Sequence, residues 1–437
     1  MTGADRVVEL ELAPPTGDER YPGALAIVER LHMAGYEAYL VGGCVRDMVL
    51  GRRPRDYDIA TNAVPDVIEK LFDRTIAVGR AFGVMQAQSD GEYYEVATFR
   101  RDMAYRDGRR PEGVQFCDVV EDVARRDFTV NGLLYDTRSS RVVDYVDGLA
   151  DLKKQNIRAI GDADARFEED HLRILRAVRF STELGFGIEE KTWQSVQRFA
   201  DKLERISAER IRDEFLKILG ADDVLSGLAR LEEAGLVPFV LADCCGDADR
   251  GRLQAALAIH PELGSIGRLA ALLVGVDQPT PEACSGCNGA RSCLESLLPN
   301  ATIRLSRLRL SRAENLHALN ALAAVHGLRR FDEPSRNVWI RLGRIDGGRD
   351  GFVIAAAEEQ IAGVSKTTGQ LLRSFDGLTT AEIRPDLLLT GADLESFGYR
   401  PGPLFKEALY ALESAQLDGA IGDRIEAERL VRSLLDR

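Results

Sequence analysis

The amino-acid sequence predicts an α+β protein, with a mixed sheet-and-helix region in the first 150 residues and an almost wholly helical remainder. Three observations carry that expectation. Short runs in which apolar and polar residues alternate are confined to the N-terminal third, and a period of two marks a half-buried strand. From Asp164 onward apolar residues recur at helical spacing, with breaks near residues 220, 280 and 348 and no fixed-period repeat. The chain has 437 residues, 45% of them hydrophobic and 29% charged, which suits a globular protein of two to four domains. No apolar run approaches the ~18 residues of a membrane span.

The elements follow in order. Residues 1–20, MTGADRVVELELAPPTGDER, lack a charged-then-apolar leader pattern and are expected to form an acidic, partly disordered lead-in, with the cytoplasm as the default compartment. Residues 21–36 have the spacing of an amphipathic helix. EAYLVGG is a strand running into a glycine turn, VRDMVLG a short helix ended by Gly51, and DYDIAT a second strand. DVIEKLFDR is helical. TIAVG, VMQAQS and YYEVATFR are strands, the last two joined by an Asp90-Gly91 hairpin turn.

The stretch LVGGCVRDMVLGRRPRDYDIAT, residues 40–61, concentrates the chemistry. In an extended segment side chains two apart share a face, so Asp56 and Asp58 converge while Tyr57 and Ile59 face away. Convergent carboxylates suit a hard cation that also keeps ligands from substrate phosphates, and Mg2+ is the expected ion. Gly42 and Gly43, lacking Cβ atoms, let a phosphate approach the backbone, and Arg46 meets its charge. The layout is that of a site for a nucleoside triphosphate on a metal; a solvated turn is the ordinary alternative for an Asp-x-Asp alone.

Glu95, on the strand YYEVATFR, is expected to be a buried third carboxylate, or else to form a structural ion pair with an arginine of the segment RRDFTVNG. In that segment, which holds Arg125, Arg126, Asp127 and Asn131, the arginines are candidates for the triphosphate or ribose and Asn131 for the sugar hydroxyls; a polar loop is the plain alternative. The segment EEDHLRILRAVRF, residues 168–180, places Asp170, Arg173, Arg176 and Arg179 three apart on one helical strip, with Leu172, Leu175 and Val178 on another. A salt-bridged solvent face would explain the strip. So would base reading: a carboxylate accepts from an exocyclic amine and a guanidinium donates to a ring nitrogen or carbonyl, so an Asp–Arg pair takes C and A and rejects U and G without a template.

A net charge of −13 argues against a general polyanion binder, so RNA contacts must come from local clusters. Arg100, Arg101, Arg106, Arg109 and Arg110 form one, and Arg304, Arg307, Arg309 and Arg312 another; a solvated face is the alternative for each. Seven cysteines, an odd number, argue against a disulfide framework. Cys284, Cys287 and Cys293, with Cys244 or Cys245, could bind zinc or could simply lie in an inserted loop.

Taken in order, LVGGCVRD…RDYDIAT, VGRAFGVMQ, YEVATFR, RRDFTVNG, EEDHLRILRAVRF and ERIRDEFLKIL resemble the class II nucleotidyltransferases: CCA-adding tRNA nucleotidyltransferases, their CC- and A-adding relatives, and bacterial poly(A) polymerases. The resemblance covers residues 21 to about 220 closely, with an echo in residues 390–421; between them it is helical only. It implies a polymerase-β-like head (21–150), then an all-helical neck (151–220), body (221–347) and tail (348–437) that bind tRNA rather than DNA or a membrane. It implies Asp56, Asp58 and Glu95 as catalytic carboxylates, the first two holding Mg2+. Gly42, Gly43, Arg46, Arg126, Asp127 and Asn131 would bind the nucleotide, and Asp170, Arg173, Arg176 and Arg179 would read or orient its base.

The implied activity is addition of C and A from CTP and ATP to the tRNA 3′ end, with loss of pyrophosphate. The DGRRP stretch resembles the loop of enzymes that add the terminal A, which disfavours a pure CC-adding enzyme. There is no arginine-rich replacement of VGRAFGVMQ and no basic C-terminal extension, which disfavours a poly(A) polymerase, and no His-Asp dipeptide to suggest a fused phosphohydrolase. Poly(A) or A-adding activity is the alternative. An inactive RNA-binding protein that keeps the fold is the alternative of another class.

Overall fold

The computed structural model describes residues 7–103, 113–241, 246–278, 291–329, 333–364 and 367–436. The chain folds as two compact units, Met1–Phe239 and Val240–Arg437.

In the first unit, β1 (Val8–Glu11) precedes α1 (Tyr21–Met33), β2 (Ala38–Val41), α2 (Gly43–Val49), β3 (Asp58–Thr61) and α3 (Pro65–Leu71). Then come β4 (Thr75–Gly79), β5 (Val84–Ser89), β6 (Glu92–Thr98), the small ribbon β7 (Arg100–Asp102) with β8 (Val114–Phe116), α4 (Val119–Ala124), β9 (Leu134–Asp136) and β10 (Arg141–Asp144). Eight strands form one sheet in the order β1-β10-β9-β2-β3-β6-β5-β4. Every pairing is antiparallel except β3 with β6, where Ile59 faces Val96 and Ala60 faces Ala97.

Strand alternation sorts the two faces. Leu40, Ile59, Val96 and Met85 occupy successive strands on the α1 side and are fully buried, where the Ala24, Ile27, Val28 and Leu31 stripe of α1 covers them. On the opposite face Val41, Ala60, Phe99 and Leu134 pack with Val123 of α4. Asp58 and Glu95 belong to this second face, one rung beyond Ala60 and Ala97. The expected hairpin is present: Asp90 and Gly91 both have positive φ, 50° and 85°, between the paired residues Ser89 and Glu92.

The expected lead-in needs correction over residues 7–20. Val8–Glu11 pairs with β10, and the buried Asp18 accepts the Tyr57 hydroxyl at 3.0 Å, so this segment is tied to the sheet. Residues 1–6 lie outside the described residues.

After α5 (Gly148–Lys154) come α6 (Ala163–Glu169), α7 (Leu172–Leu184), α8 (Glu190–Arg198), α9 (Ala208–Gly220) and α10 (Val224–Glu233). The helical expectation has one exception, a two-residue parallel ladder of β11 (Asn156–Ile157) with β12 (Gly187–Ile188). α7 packs on α9 and α10 with Ile174, Leu175, Ala177 and Val178 fully buried.

The second unit is helical throughout its described residues. Helices Asp247–Ile259, Ser265–Leu273, Arg312–Leu328 and Gly348–Ala362 pack together, the third opened by a Ser311/Glu314 capping box. The break near residue 348 is a left-handed Gly347, φ 84°, at the start of the fourth. A separate apolar cluster runs from Leu389 through Phe405 and Leu412 to Val431. None of the described helices is long and apolar enough to cross a membrane. The cysteines of the conceivable zinc site, and Arg106, Arg109, Arg110 and the DGRRP stretch, fall outside the residues whose side chains are described.

Candidate active site

A cleft of about 600 Å³ opens where the second face of the sheet meets α7 and α9. It is lined by Gly42, Gly43, Arg46, Asp56, Asp58, Arg126, Asp127, Asn131, Asp170, Arg173, Arg176 and Arg179, so every site residue expected from the sequence borders it except Glu95. Six further residues line it: Arg100, Asp102, Arg125, Leu172, Phe180 and Arg210.

The head wall is built from β2, α2 and β3. Gly42 sits at φ 75°, ψ −128°, a conformation open to glycine alone, and a Cβ there would come within 3.6 Å of Arg126 Nη1. Its amide is already committed to Leu133 O at 3.1 Å, so the pair offers close approach more than a free donor from Gly42. Arg46, one helical turn on, is buried; its Nη1 donates to Asn131 Oδ1 at 2.8 Å and its Nε to Asp47 at 2.9 Å.

The carboxylates of Asp56 and Asp58 have no hydrogen bond or ion pair to another described residue. Burial, then the charges of Glu95 and Asp56, push the Asp58 carboxyl up to about 7, against the opposing pull of Arg126. Glu95 departs from expectation in being exposed. Its carboxyl is nonetheless raised from the usual range, by desolvation first and by Asp56, with Arg100 opposing; the exposed setting limits the effect. The alternative ion pair with the RRD segment is not formed, because Arg125 and Arg126 both bind Asp122, at 2.6 and 3.0 Å. Among the described residues no three His, Cys, Asp or Glu side chains converge as a ready cation cage. Two unpartnered, mutually repelling carboxylates with hard oxygen donors nevertheless fit a divalent cation that draws further ligands from phosphate.

The neck wall is organised differently. Asp170 does not begin a continuous helix, as the spacing suggests. It lies extended at the break between α6 and α7, where its Oδ1 accepts from the Leu172 amide at 3.1 Å. Nor does it pair with Arg173, which donates to Glu169 and to Arg125 O, both at 2.8 Å. The partner of Asp170 is Arg210 of α9, whose Nη2 lies 2.9 Å from Oδ2 and 3.2 Å from Oδ1. Arg210 stands inside ERIRDEFLKIL, but its distance along the chain from Asp170 hides the pairing.

The arginine strip is no solvent face. Arg173 and Arg179 are buried, Arg176 donates to Asp127 Oδ2 at 2.9 Å, and Arg179 binds the buried Glu214 at 2.5 Å. Burial would raise the Asp127 carboxyl, but Arg176, Arg173 and the Phe128 amide outweigh it and hold it at about 2. Asn131 links the walls by donating from Nδ2 to Asp127 at 3.3 Å while it accepts from Arg46. The Phe180 ring packs among three guanidiniums, those of Arg179, Arg176 and Arg46, at 3.8, 5.1 and 5.5 Å from its centroid.

The basic clusters are only partly described. Arg101 pairs with Glu121 and Gln115 on the exposed ribbon. Arg304 and Arg307 close a short helix, Arg309 has a positive φ of 52°, and Arg312 opens the next helix.

Residues 38–158 match the poly A polymerase head domain family, and residues 185–243 match a family described as a probable RNA and SrmB-binding site of polymerase A. The chain is 34% identical over 396 residues to the CCA-adding enzyme of Latilactobacillus sakei, covering 89% of this chain and 92% of that one. It is 33% identical over 414 residues to that of Enterococcus faecalis, covering 92% and 93%. With the Lactiplantibacillus plantarum CCA-adding enzyme it shares 42% over 264 residues, 60% of this chain and 64% of that one. In structure it is similar to the Bacillus stearothermophilus CCA-adding enzyme in complex with CTP, with a TM-score of 0.70, 29% identity, and coverage of 95% and 98%. The Thermotoga maritima CCA-adding enzyme complexed with tRNA shares the fold, with a TM-score of 0.64 at 19% identity over 98% and 99%.

Proposed function

The chain belongs to the CCA-adding enzymes, a family of RNA nucleotidyltransferases, and we infer that it adds C and A from CTP and ATP to the 3′ end of tRNA, with loss of pyrophosphate. The observation that most supports this reading is one cleft bounded on one side by two unpartnered carboxylates and on the other by a carboxylate among arginines.

In this reading Asp56 and Asp58 hold a divalent cation, Mg2+ in the cell. When bound, the cation supplies neutralisation of charge on the triphosphate and activation of the RNA 3′-hydroxyl for attack on the α-phosphate. Glu95 adds negative potential beside the pair. Arg46 and Arg126, each clamped by a carboxylate, present preset positive charge to the phosphates, and the Cβ-free surface of Gly42 and Gly43 lets them in. Asn131, held between Arg46 and Asp127, faces the sugar. Asp170 accepts from the exocyclic amine that C and A share, Arg173 donates to the ring acceptor, and Arg176 and Arg179 hold the wall in place.

In this reading residues 21–150 and 151–220 are head and neck, followed by body (221–347) and tail (348–437) helices carrying further RNA contacts, although the first compact unit runs on to Phe239. The cytoplasm is the compartment this reading implies. Incubation with tRNA ending at the discriminator base, at C or at CC, with CTP or ATP singly and together, tests it. Stepwise completion to CCA is expected. Unlimited A addition would identify a poly(A) polymerase, A addition only to a CC end would identify an A-adding enzyme, and no Mg2+-dependent product with any RNA would sink the enzyme reading.

A further inference from the structure

Base selection by Asp170 requires that its carboxylate stay charged and fixed in direction. A neutral carboxyl would offer a donor and admit the carbonyls of U and G. A mobile one would lose its discrimination between an amine and water. The residue that imposes both conditions is not Arg173, whose Nη1 and Nη2 reach Glu169 and the Arg125 carbonyl rather than the Asp170 carboxylate. It is Arg210, reaching from α9 to both carboxylate oxygens.

The occupancy of Asp170 is informative. Its Oδ1 already accepts from the Leu172 amide and from Arg210, whereas Oδ2, among the described residues, accepts from Arg210 alone and keeps a lone pair. An incoming amine can therefore dock on Oδ2 without displacing the guanidinium. Arg210 has a second feature: its Nη1 is buried without a hydrogen-bond partner among the described residues. A buried guanidinium nitrogen left unpaired is costly, and Arg210 lines the cleft where a nucleotide would supply acceptors.

We propose that Arg210 is a specificity-determining positioning residue, which holds Asp170 as an acceptor-only carboxylate so that the cleft takes amine-bearing bases. The proposal rests on the reading of Asp170 as base reader. Its role is to fix selectivity, so its loss shows in the ratio between nucleotides more than in the common rate.

The test is single-nucleotide incorporation into tRNA with each of CTP, ATP, UTP and GTP, comparing the unaltered protein with Arg210→Met, Arg210→Lys and Asp170→Ala. With Arg210→Met, kcat/KM for UTP and GTP relative to CTP and ATP should rise roughly tenfold, the scale of one charge-assisted hydrogen bond, chiefly through a higher KM for CTP and ATP. Arg210→Lys, which keeps the charge but not the two-oxygen reach, should fall between. Asp170→Ala/Arg210→Met should be no less selective than Asp170→Ala alone. Equal losses for all four nucleotides would make Arg210 a merely structural residue and overturn the proposal. If Arg210→Met does not fold, as judged by thermal melting, the Lys variant decides: unchanged selectivity overturns the proposal. If Asp170→Ala leaves selectivity intact, the base-reader reading itself fails; if it relaxes selectivity while both Arg210 variants do not, only the present proposal fails.

Discussion

The two walls of the cleft treat charge in opposite ways. On the head wall the carboxylates of Asp56 and Asp58 have no partner among the described residues, and Asp58 is driven up to about 7 by burial and its own neighbours. On the opposite wall Asp127 of the head's RRDFTVNG segment and Asp170 and Glu214 of the neck are each met by an arginine, and Asp127 is held at about 2. A wall left with excess negative charge is incomplete until a cation arrives. A wall that neutralises itself is already rigid and can select by shape and hydrogen bonding.

The sharpest way to break this contrast is Asp58→Ala. Incorporation of both C and A should fall by about three orders of magnitude or more, the scale of losing electrostatic catalysis, while a gel-shift measurement of tRNA binding stays nearly unchanged. Retained activity would remove the head wall from the chemistry. On the opposite wall Asp127→Ala leaves Arg176 without its main partner in a buried site. Stability should drop by about 3–5 kcal/mol in urea unfolding of the first unit's transition; a drop below about 1 kcal/mol would mean the network is not stabilised as a unit.

The walls should also differ in the sign of their pH dependence, measured as melting temperature in a chelating buffer. Asp58 has a folded value of about 7 against 3.8 unfolded, so its contribution is full below about 4 and is lost as pH rises through 7. Asp58→Asn should flatten that slope, by a few kcal/mol at most. Asp127 runs the other way: its contribution is present above about 4 and disappears as pH falls toward 2. Equal slopes with and without Asp58 would deny the charge excess. The smallest effect is expected from Gly42→Ala. Backbone strain at φ 75° should cost about 1–2 kcal/mol in unfolding, while the added Cβ would only touch Arg126 at 3.6 Å, so base selectivity should stay unaltered.

What is legible in the sequence follows the same division. The head wall is local: a glycine pair, a short helix and an Asp-x-Asp pair leading into β3 lie within twenty-odd residues, where period-two alternation and glycine chemistry decide the geometry. The neck wall is not. Asp127 with Arg176, and Asp170 with Arg210, are joined by tertiary packing, and nothing in the local pattern distinguishes Arg210 from a surface arginine. The same reason hides the pairing of Val8–Glu11 with β10, which lies far along the chain. Helical periodicity overruns the break at Asp170 because two helices in succession share one pattern of apolar spacing. Burial is the expectation for Glu95, but it shares its face with Tyr93, which is exposed as well, while the buried Tyr94 and Val96 point to the other face.

The single parallel pairing in the sheet, β3 with β6, reaches beyond the resting structure. Parallel neighbours cannot be joined by a tight turn, so Asp58 and Glu95 become neighbours only after the whole crossover through α3, β4 and β5 has closed on itself. Closing so long an excursion is slow compared with forming its local helix and hairpin. A chain diluted from denaturant should therefore recover far-ultraviolet dichroism before it recovers nucleotide incorporation, and the lag between them is a clock for completion of the central ladder.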